Sequence, residues 1–341
     1  MRRSVVNYKI GTILVFFLFF GTFLISAAMA EPIVLRMSFY QPPSHVMFKL
    51  AEKDFSQVKK LTQGRVEFQL FHSSTLCKAK QMYDYVNSGS AFAAFPTNAY
   101  FTKTFPIFQV DTLGVYSRGV QGMYAAYRGG LDELIRDYLR EKGLLNLVYA
   151  GSTSFSGRSF GSNIPINIPN DFKGLKVRAL GNEKSFVKKG GGASVSFPAS
   201  QVYEGLQRGI VDAVSGQESN WIDWTWYEQV KYIKFVDLTA APMAVIYNKP
   251  ILEKLAQEDQ KIVKDVISQF LEHMYIDLIK HDKEGRDFLL NQWKGHASYL
   301  TKEEQEEWHK VAKLLQEDFV KEQGSFGRKA LEIIRRFNPV R

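Results

Sequence analysis

The chain has 341 residues, 45% of them hydrophobic, and carries 44 Lys and Arg against 35 Asp and Glu, a formal net charge of +9. One cysteine, Cys77, excludes an intrachain disulfide, so stability must come from packing. The basic residues are dispersed rather than gathered into a stripe, which argues against a nucleic-acid surface and suits attraction of small anions.

In chain order, the first segment is expected to be removed. Arg2, Arg3 and Lys9 give a positive start, residues 10–25 are almost wholly apolar, and Ala28-Met29-Ala30 offers a small-residue cleavage site. This predicts a secretory signal peptide over 1–30. The competing reading is an uncleaved membrane anchor, because the apolar run approaches a span in length. No cysteine lies beside the cleavage site, and the apolar core favours the general export route over a twin-arginine one. The remaining chain keeps a mild positive charge and is long enough for two lobes.

Residues 33–39 read as a strand. Val46, Leu50, Phe55, Val58 and Leu61 then fall on one helical face, and Gly64 ends it. Residues 65–71 alternate as a second strand, 74–86 read as a helix and 91–95 as a short apolar strand. This β-α-β-α-β opening predicts an α/β sheet covered by helices. Helices are expected over 119–128 and 131–142, and a strand over 144–149. The loop from Gly151 to Gly157 is where the chain is expected to leave the first lobe. Pro165 and Pro169 mark edge or linker sequence.

Asp171-Phe172-Lys173-Gly174-Leu175-Lys176-Val177-Arg178 reads as a turn feeding a strand that ends on a guanidinium. A short helix from Val202, broken by Gly209, leads to an apolar strand near Asp212. A tryptophan-rich helix is expected over 218–232 and a return strand over 244–247. One helix of roughly 50 Å is expected from Lys249 to about Lys283, long enough to lie across both lobes. Helices over 301–321 and 325–337 close the chain, with Thr301 and Glu304 matching a capping box. The resulting division is 1–30 signal peptide, 31–154 lobe I, 155–243 lobe II, 244–283 return to lobe I with the long helix, and 284–341 C-terminal helices mainly on lobe II.

Arg178 is the leading site residue, because a guanidinium at a strand mouth presents a rigid fork of donors to a planar carboxylate. Phe155 and the tryptophans Trp221, Trp224 and Trp226 are aromatic candidates for stacking on a ligand, with core or hinge packing as the alternative. Gly157-Arg158-Ser159-Phe160-Gly161 formally matches the nucleophile elbow of secreted serine hydrolases. That motif needs a strand before it and a helix directly after, and Pro165 and Pro169 deny the helix. The six histidines contain no zinc motif, and Gly190-Gly191-Gly192 lacks the Lys-Ser/Thr of a phosphate loop. No cofactor is called for.

Three further motifs accompany the segment ending at Arg178: Val202-Tyr203 with Leu206-Gln207, Gly209 and Val211-Asp212; Tyr227-Glu228 with Val230-Lys231-Tyr232; and Thr62-Gln63-Gly64-Arg65-Val66. Together with Ser73-Ser74-Thr75-Leu76, in this order and spacing, they resemble the DctP-type extracytoplasmic solute-binding proteins of TRAP transporters, over nearly all of residues 31–341. The resemblance implies a two-lobed α/β protein of the periplasmic type, with mixed sheets, hinge strands and a long helix spanning both lobes. It implies a periplasmic location, a small organic-acid ligand and membrane subunits as partners. It carries the ligand carboxylate to Arg178 and a second arginine to Arg158. It places polar contacts around Ser215, Gln217 and Asn220, and first-lobe contacts at Tyr40 and Thr97. The segment 213–220 departs from the sialic-acid branch, so which of Ser215, Gln217 and Asn220 faces the ligand stays open. A metal bridge through Glu218 also stays open. The rival functions are a binding protein serving another transporter or a sensor, and a hydrolase using Ser159.

Overall fold

Two mixed sheets organise the chain. The computed structural model describes residues 31–115, 118–153, 157–240 and 242–339; of these, 32–339 belong to one compact unit. The expected signal peptide lies outside the described residues.

The first sheet has the order β2-β1-β3-β10-β4. Strand β1 (Ile33–Ser38) runs through helix α1 (Val46–Leu61) into β2 (Val66–Phe71), which pairs with it in parallel. Helix α2 (Met82–Asn87) leads to β3 (Ala93–Ala94), parallel to β1 on its other side. Residues 74–86 are helical only at their end, with a 3-10 turn at Ala79–Gln81 before α2. Ser73 and Ser74 sit at φ of +51° and +59°, a turn conformation that a helix cannot contain. Helices α3 (Gly119–Ala126) and α4 (Asp132–Glu141) follow, joined by a wide turn through Gly130 at φ 128°. Strand β4 (Leu147–Thr153) forms the far edge.

The second sheet has the order β11-β9-β5-β8-β6-β7. Its core strand β5 (Ser159–Ser162) is flanked by later strands. Strand β6 (Lys176–Arg178), helix α5 (Glu183–Lys189), β7 (Ala193–Val195), α6 (Val202–Gln207) and β8 (Ala213–Gly216) follow. Both neighbours of β6, β7 and β8, run parallel to it, so Arg178 ends a central strand.

The expected helix over 218–232 is broken. Only α7 (Glu218–Asp223) and a 3-10 turn (Trp226–Gln229) are helical, because Thr225 sits at φ 52°. The residues after it form β9 (Tyr232–Phe235), whose backbone is taken up by β5 on one side and by β11 (His296–Tyr299) on the other. The chain then returns to the first sheet as β10 (Met243–Asn248), six buried residues between β3 and β4.

The long helix begins later than its periodicity suggests. Asn248 caps a short helix, α8 (Lys249–Leu252), by accepting from the Ile251 amide at 2.9 Å, and the chain restarts as α9 (Gln257–Asn291). The apolar face from Val263 to Leu278 packs with β1, α1 and β10 in the first core cluster, whereas Leu289 packs with Trp221, Trp226 and Ile233. At 35 residues, about 52 Å, α9 therefore serves both lobes.

The last helix, α10 (Lys302–Phe337), is kinked at Gly324, φ 55°. It touches α3 and α4 on the first-sheet side as well as α5 on the second, a broader footing than lobe II alone. Trp308 anchors it: the indole is buried, lies 5.5 Å from Phe160 and 5.6 Å from Phe186, and donates to the Asn167 carbonyl at 2.8 Å. Trp308→Ala leaves a cavity there and an unmet carbonyl, and is expected to cost about 3–5 kcal/mol, read as an earlier midpoint in urea denaturation.

Candidate functional site

Arg178 lies where the two sheets approach. β6 is three residues long and buried at its end, so the side chain projects from the strand mouth toward the first lobe. The residue is 1% exposed. Its Nε and Nη2 donate to the Phe197 carbonyl at 3.2 and 3.0 Å, and Nη1 donates to the Ser215 carbonyl at 3.3 Å. Nη2 also donates to the hydroxyl of Tyr100 at 3.3 Å, a residue of the first lobe. The Trp226 ring lies 5.8 Å below the guanidinium. Every one of these partners is uncharged. Among the described residues, no carboxylate contacts Arg178, and burial pushes its pKa below the usual arginine value.

Arg158 is just as buried, 2% exposed, but its charge is met. Nε donates to Glu183 Oε1 at 2.7 Å and Nη2 to Glu183 Oε2 at 3.3 Å, a forked pair inside the second lobe. Nε and Nη2 also reach Ser215 Oγ and its carbonyl, each at 3.1 Å. Glu183 opens α5, accepts from the Leu180 amide at 3.2 Å and is 1% exposed. The two arginines therefore meet at the carbonyl of Ser215, but only one of them has a counter-ion.

The first-lobe wall is neutral. Tyr40 shares a hydrogen bond of 2.7 Å with Thr97 Oγ1, and its ring meets Tyr100 edge-on at 5.7 Å. Tyr40 packs against apolar residues of both lobes and feels the charge of both arginines, while burial raises its phenol pKa above the ordinary value. Met243 pairs with Thr97 and Thr153, and Gln41 Nε2 lies 3.4 Å from the Met243 sulfur. Gln41 Oε1, Thr153 Oγ1, Gln217 Nε2 and Trp226 Nε1 are buried without a hydrogen-bond partner among the described residues.

Of the residues expected at the site, Arg178, Arg158, Ser215, Tyr40 and Thr97 are thus linked through a chain of contacts. Asn220 acts locally, its Oδ1 accepting from the Gln217 amide at 3.3 Å at the start of α7. Phe155 lies outside the described residues. Glu218 faces Arg286, with 2.9 Å between carboxylate and guanidinium. No cluster of three or more His, Cys, Asp or Glu able to hold a metal occurs among the described residues. A separate groove of about 1070 Å³, bounded by Arg118, Leu238, Lys283, His309 and Arg335, shares no residue with this cluster.

Ser159 is used structurally. It sits within β5, not on a strand-to-helix turn, donates to the Gly216 carbonyl at 3.0 Å and accepts from Trp221 Nε1 at 2.6 Å. The elbow match reflects close packing: a Cβ at Gly161 would lie 2.3 Å from the Trp221 ring, which needs that glycine.

The sequence reading missed Tyr100, Phe197 and Glu183. Glu183 had no local signal, although a buried arginine calls for an acid nearby. Tyr100 and Phe197 had none, because they meet Arg178 only through tertiary folding.

The lobes also meet at Asp223. Its Oδ2 accepts from the Val46 amide at 3.2 Å, at the start of α1, and its Oδ1 lies 3.0 Å from His281 Nε2 on α9. Burial would raise this carboxyl, but the His281 hydrogen bond and the nearby histidines hold it below its ordinary value. His45 is buried beside it, and the Met47 amide donates to Nδ1, which marks that nitrogen as unprotonated.

A buried cation that no carboxylate among the described residues contacts, lying where the two sheets approach, suits the binding of an anionic solute. The chain belongs to the bacterial extracellular solute-binding proteins of family 7, whose model matches residues 37–323. It is 24% identical over 289 residues to the C4-dicarboxylate-binding periplasmic protein DctP of Rhodobacter capsulatus, covering 83% of this chain and 85% of that one. Its fold matches DctP7 of Bordetella pertussis, an extracytoplasmic receptor binding pyroglutamic acid, with a TM-score of 0.82 at 18% identity, over 89% of this chain and 99% of that one. A TRAP periplasmic solute-binding protein of Shewanella oneidensis with bound succinate matches equally, TM-score 0.82 at 19% identity, over 90% and 99%.

His45 sets a pH dependence. Burial lowers its pKa to about 4 from 6.5, so the unfolded chain binds the proton more tightly. This contribution is fully present above pH 6.5 and is lost as pH falls toward 4. His281, whose pKa is raised by Asp223, works in the opposite sense. Thermal melts of the wild type and His45→Gln from pH 7.5 to 4.5 are expected to show an extra acid-side loss in the wild type, about 2–3 kcal/mol before the His281 offset.

Proposed function

We propose that this chain is the exported, periplasmic solute-binding subunit of a TRAP-type transporter, and that it captures a small organic acid by lobe closure. Arg178 binds the ligand carboxylate. The closed form is then handed to the membrane subunits, which move the solute on an ion gradient. The hinges lie where β4 passes to β5 and β9 to β10, so that 31–154 and 155–243 act as the lobes, braced by α9. The protein binds its solute without turning it over.

The observation that carries this reading is the state of Arg178: buried, clasped by neutral groups, and joined to the opposite lobe through Tyr100. A desolvated charge without a counter-ion is costly, and an anion entering beside it recovers that cost. A guanidinium has five N–H donors, and the carbonyls and Tyr100 take four bonds. A carboxylate fits the Nη1–Nη2 edge, accepting the remaining Nη1–H and the Nη2–H now given to Tyr100. Because Tyr100 belongs to the first lobe, ligand contact and closure are coupled, and the ligand shifts the population toward the closed form.

Arg178→Ala is expected to weaken binding of the cognate acid at least about a hundredfold, the scale for truncating one member of a buried charge pair. Calorimetry reads the affinity, and the ligand-induced rise in melting temperature reads it independently. Binding of Arg178→Ala within a few-fold of the wild type contradicts the clamp.

A further inference from the structure

We infer that the ligand site is built for a single negative charge, so that the solute is a monocarboxylate with neutral polar substituents and not a dicarboxylate, and that Glu183 sets this limit. The inference rests on the carboxylate reading of Arg178. It goes beyond the fold, which is matched equally by a pyroglutamate receptor and a succinate receptor.

The argument is one of charge. Two arginines converge on the Ser215 carbonyl, and two free guanidinium groups would welcome a dianion. One of them is already neutralised. Glu183 grips Arg158 through both oxygens, and it is itself held by the Leu180 amide and by Thr239 Oγ1 at 3.4 Å. Pair and surroundings are buried, so this fork is not solvent-screened and does not readily exchange for a ligand. Among the described residues of this cluster, two guanidinium groups share one carboxylate, which contacts only Arg158 of the two, and this leaves room for one carboxylate at Arg178.

The opposite wall repeats the message. Tyr40, Gln41, Thr97, Tyr100 and Thr153 are all uncharged there, and Gln41 and Thr153 keep buried polar atoms without partners among the described residues. Such groups suit ligand hydroxyl, keto or amide functions. A second carboxylate would enter a buried environment where, among the described residues, the other arginine of the cluster, Arg158, is already paired with Glu183; such an entry is strongly disfavoured. Lys184 senses Lys80 and Lys103 across the lobes, but Lys80 and Lys103 are exposed. Solvated charges of this kind steer any anion inward without compensating one held inside.

The test uses matched acids that differ in one charge: succinate against succinamate, and glutarate against glutaramate. Each is titrated calorimetrically into the full-length mature protein, alongside Glu183→Gln and Arg178→Ala. In every pair that binds, the monoacid is expected to be tighter by at least about tenfold. Glu183→Gln frees Arg158 and is expected to move that ratio toward the diacid by a similar factor. A diacid that binds the wild type as tightly as its monoacid partner overturns the inference while leaving the carboxylate site standing, provided Arg178→Ala abolishes that binding. An unchanged ratio in a folded Glu183→Gln removes Glu183 as the determinant. If that variant fails to fold, the wild-type ratio decides alone. If no carboxylate binds, and mass spectrometry finds none carried through purification, the reading of Arg178 falls and the inference falls with it.

Discussion

A buried guanidinium without a carboxylate is the constraint on which the rest of this structure depends. Arg178 ends a three-residue strand, 1% exposed, held by two carbonyls and a tyrosine hydroxyl. In a protein selected for stability alone this arrangement would be a defect, because removing a charge from water costs several kcal/mol unless an opposite charge replaces the solvent. The neighbouring arginine shows the stable alternative. Arg158 is equally buried and carries its own glutamate. This contrast is the ground on which Arg178, rather than Arg158, is proposed as the ligand clamp.

The fold delivers this cation to the interface through connections that are long in sequence. β10 leaves the second lobe to cross the first sheet between β3 and β4, and α9 packs on both lobes in turn. The chain passes between the sheets three times, from β4 to β5, from β9 to β10, and from β10 through α9 to β11. Polar contacts across the lobes include Tyr100 with Arg178 and the Ala199 amide, Asn182 with Thr112 and Gln109, and Asp223 with the Val46 amide, beside an apolar cluster that holds residues of both lobes together with α10. In the proposed closure, polar bonds of this kind can exchange for water, whereas apolar contacts would have to separate or travel with one lobe.

Much of this was legible in the sequence, and the reasons for the misses are specific. Periodicity revealed α1, the β-α-β opening and the apolar face of α9, because local pattern and burial agree there. It failed over 218–232, where tryptophan spacing looked helical but Thr225 turns left-handed and β9 is required by its sheet neighbours. It missed β5, β7 and β11, short strands whose hydrogen-bond partners come from distant segments. At the site, the motif around Arg178 was readable, while Tyr100 and Phe197 were not, since nothing local links them to a guanidinium. Arg158 was readable as an arginine near the cleft, but its pairing with Glu183 needed the α5 start to be placed in space.

The central claim is that Arg178 receives a ligand carboxylate on its Nη1–Nη2 edge. A crystal structure of the protein with the solute that co-purifies, or with the tightest acid of a panel, tests it most directly. The account predicts a single carboxylate within about 3 Å of both terminal nitrogens, with the Arg158–Glu183 fork intact. Density for the solute elsewhere, with Arg178 still bound only to carbonyls and Tyr100, would contradict it.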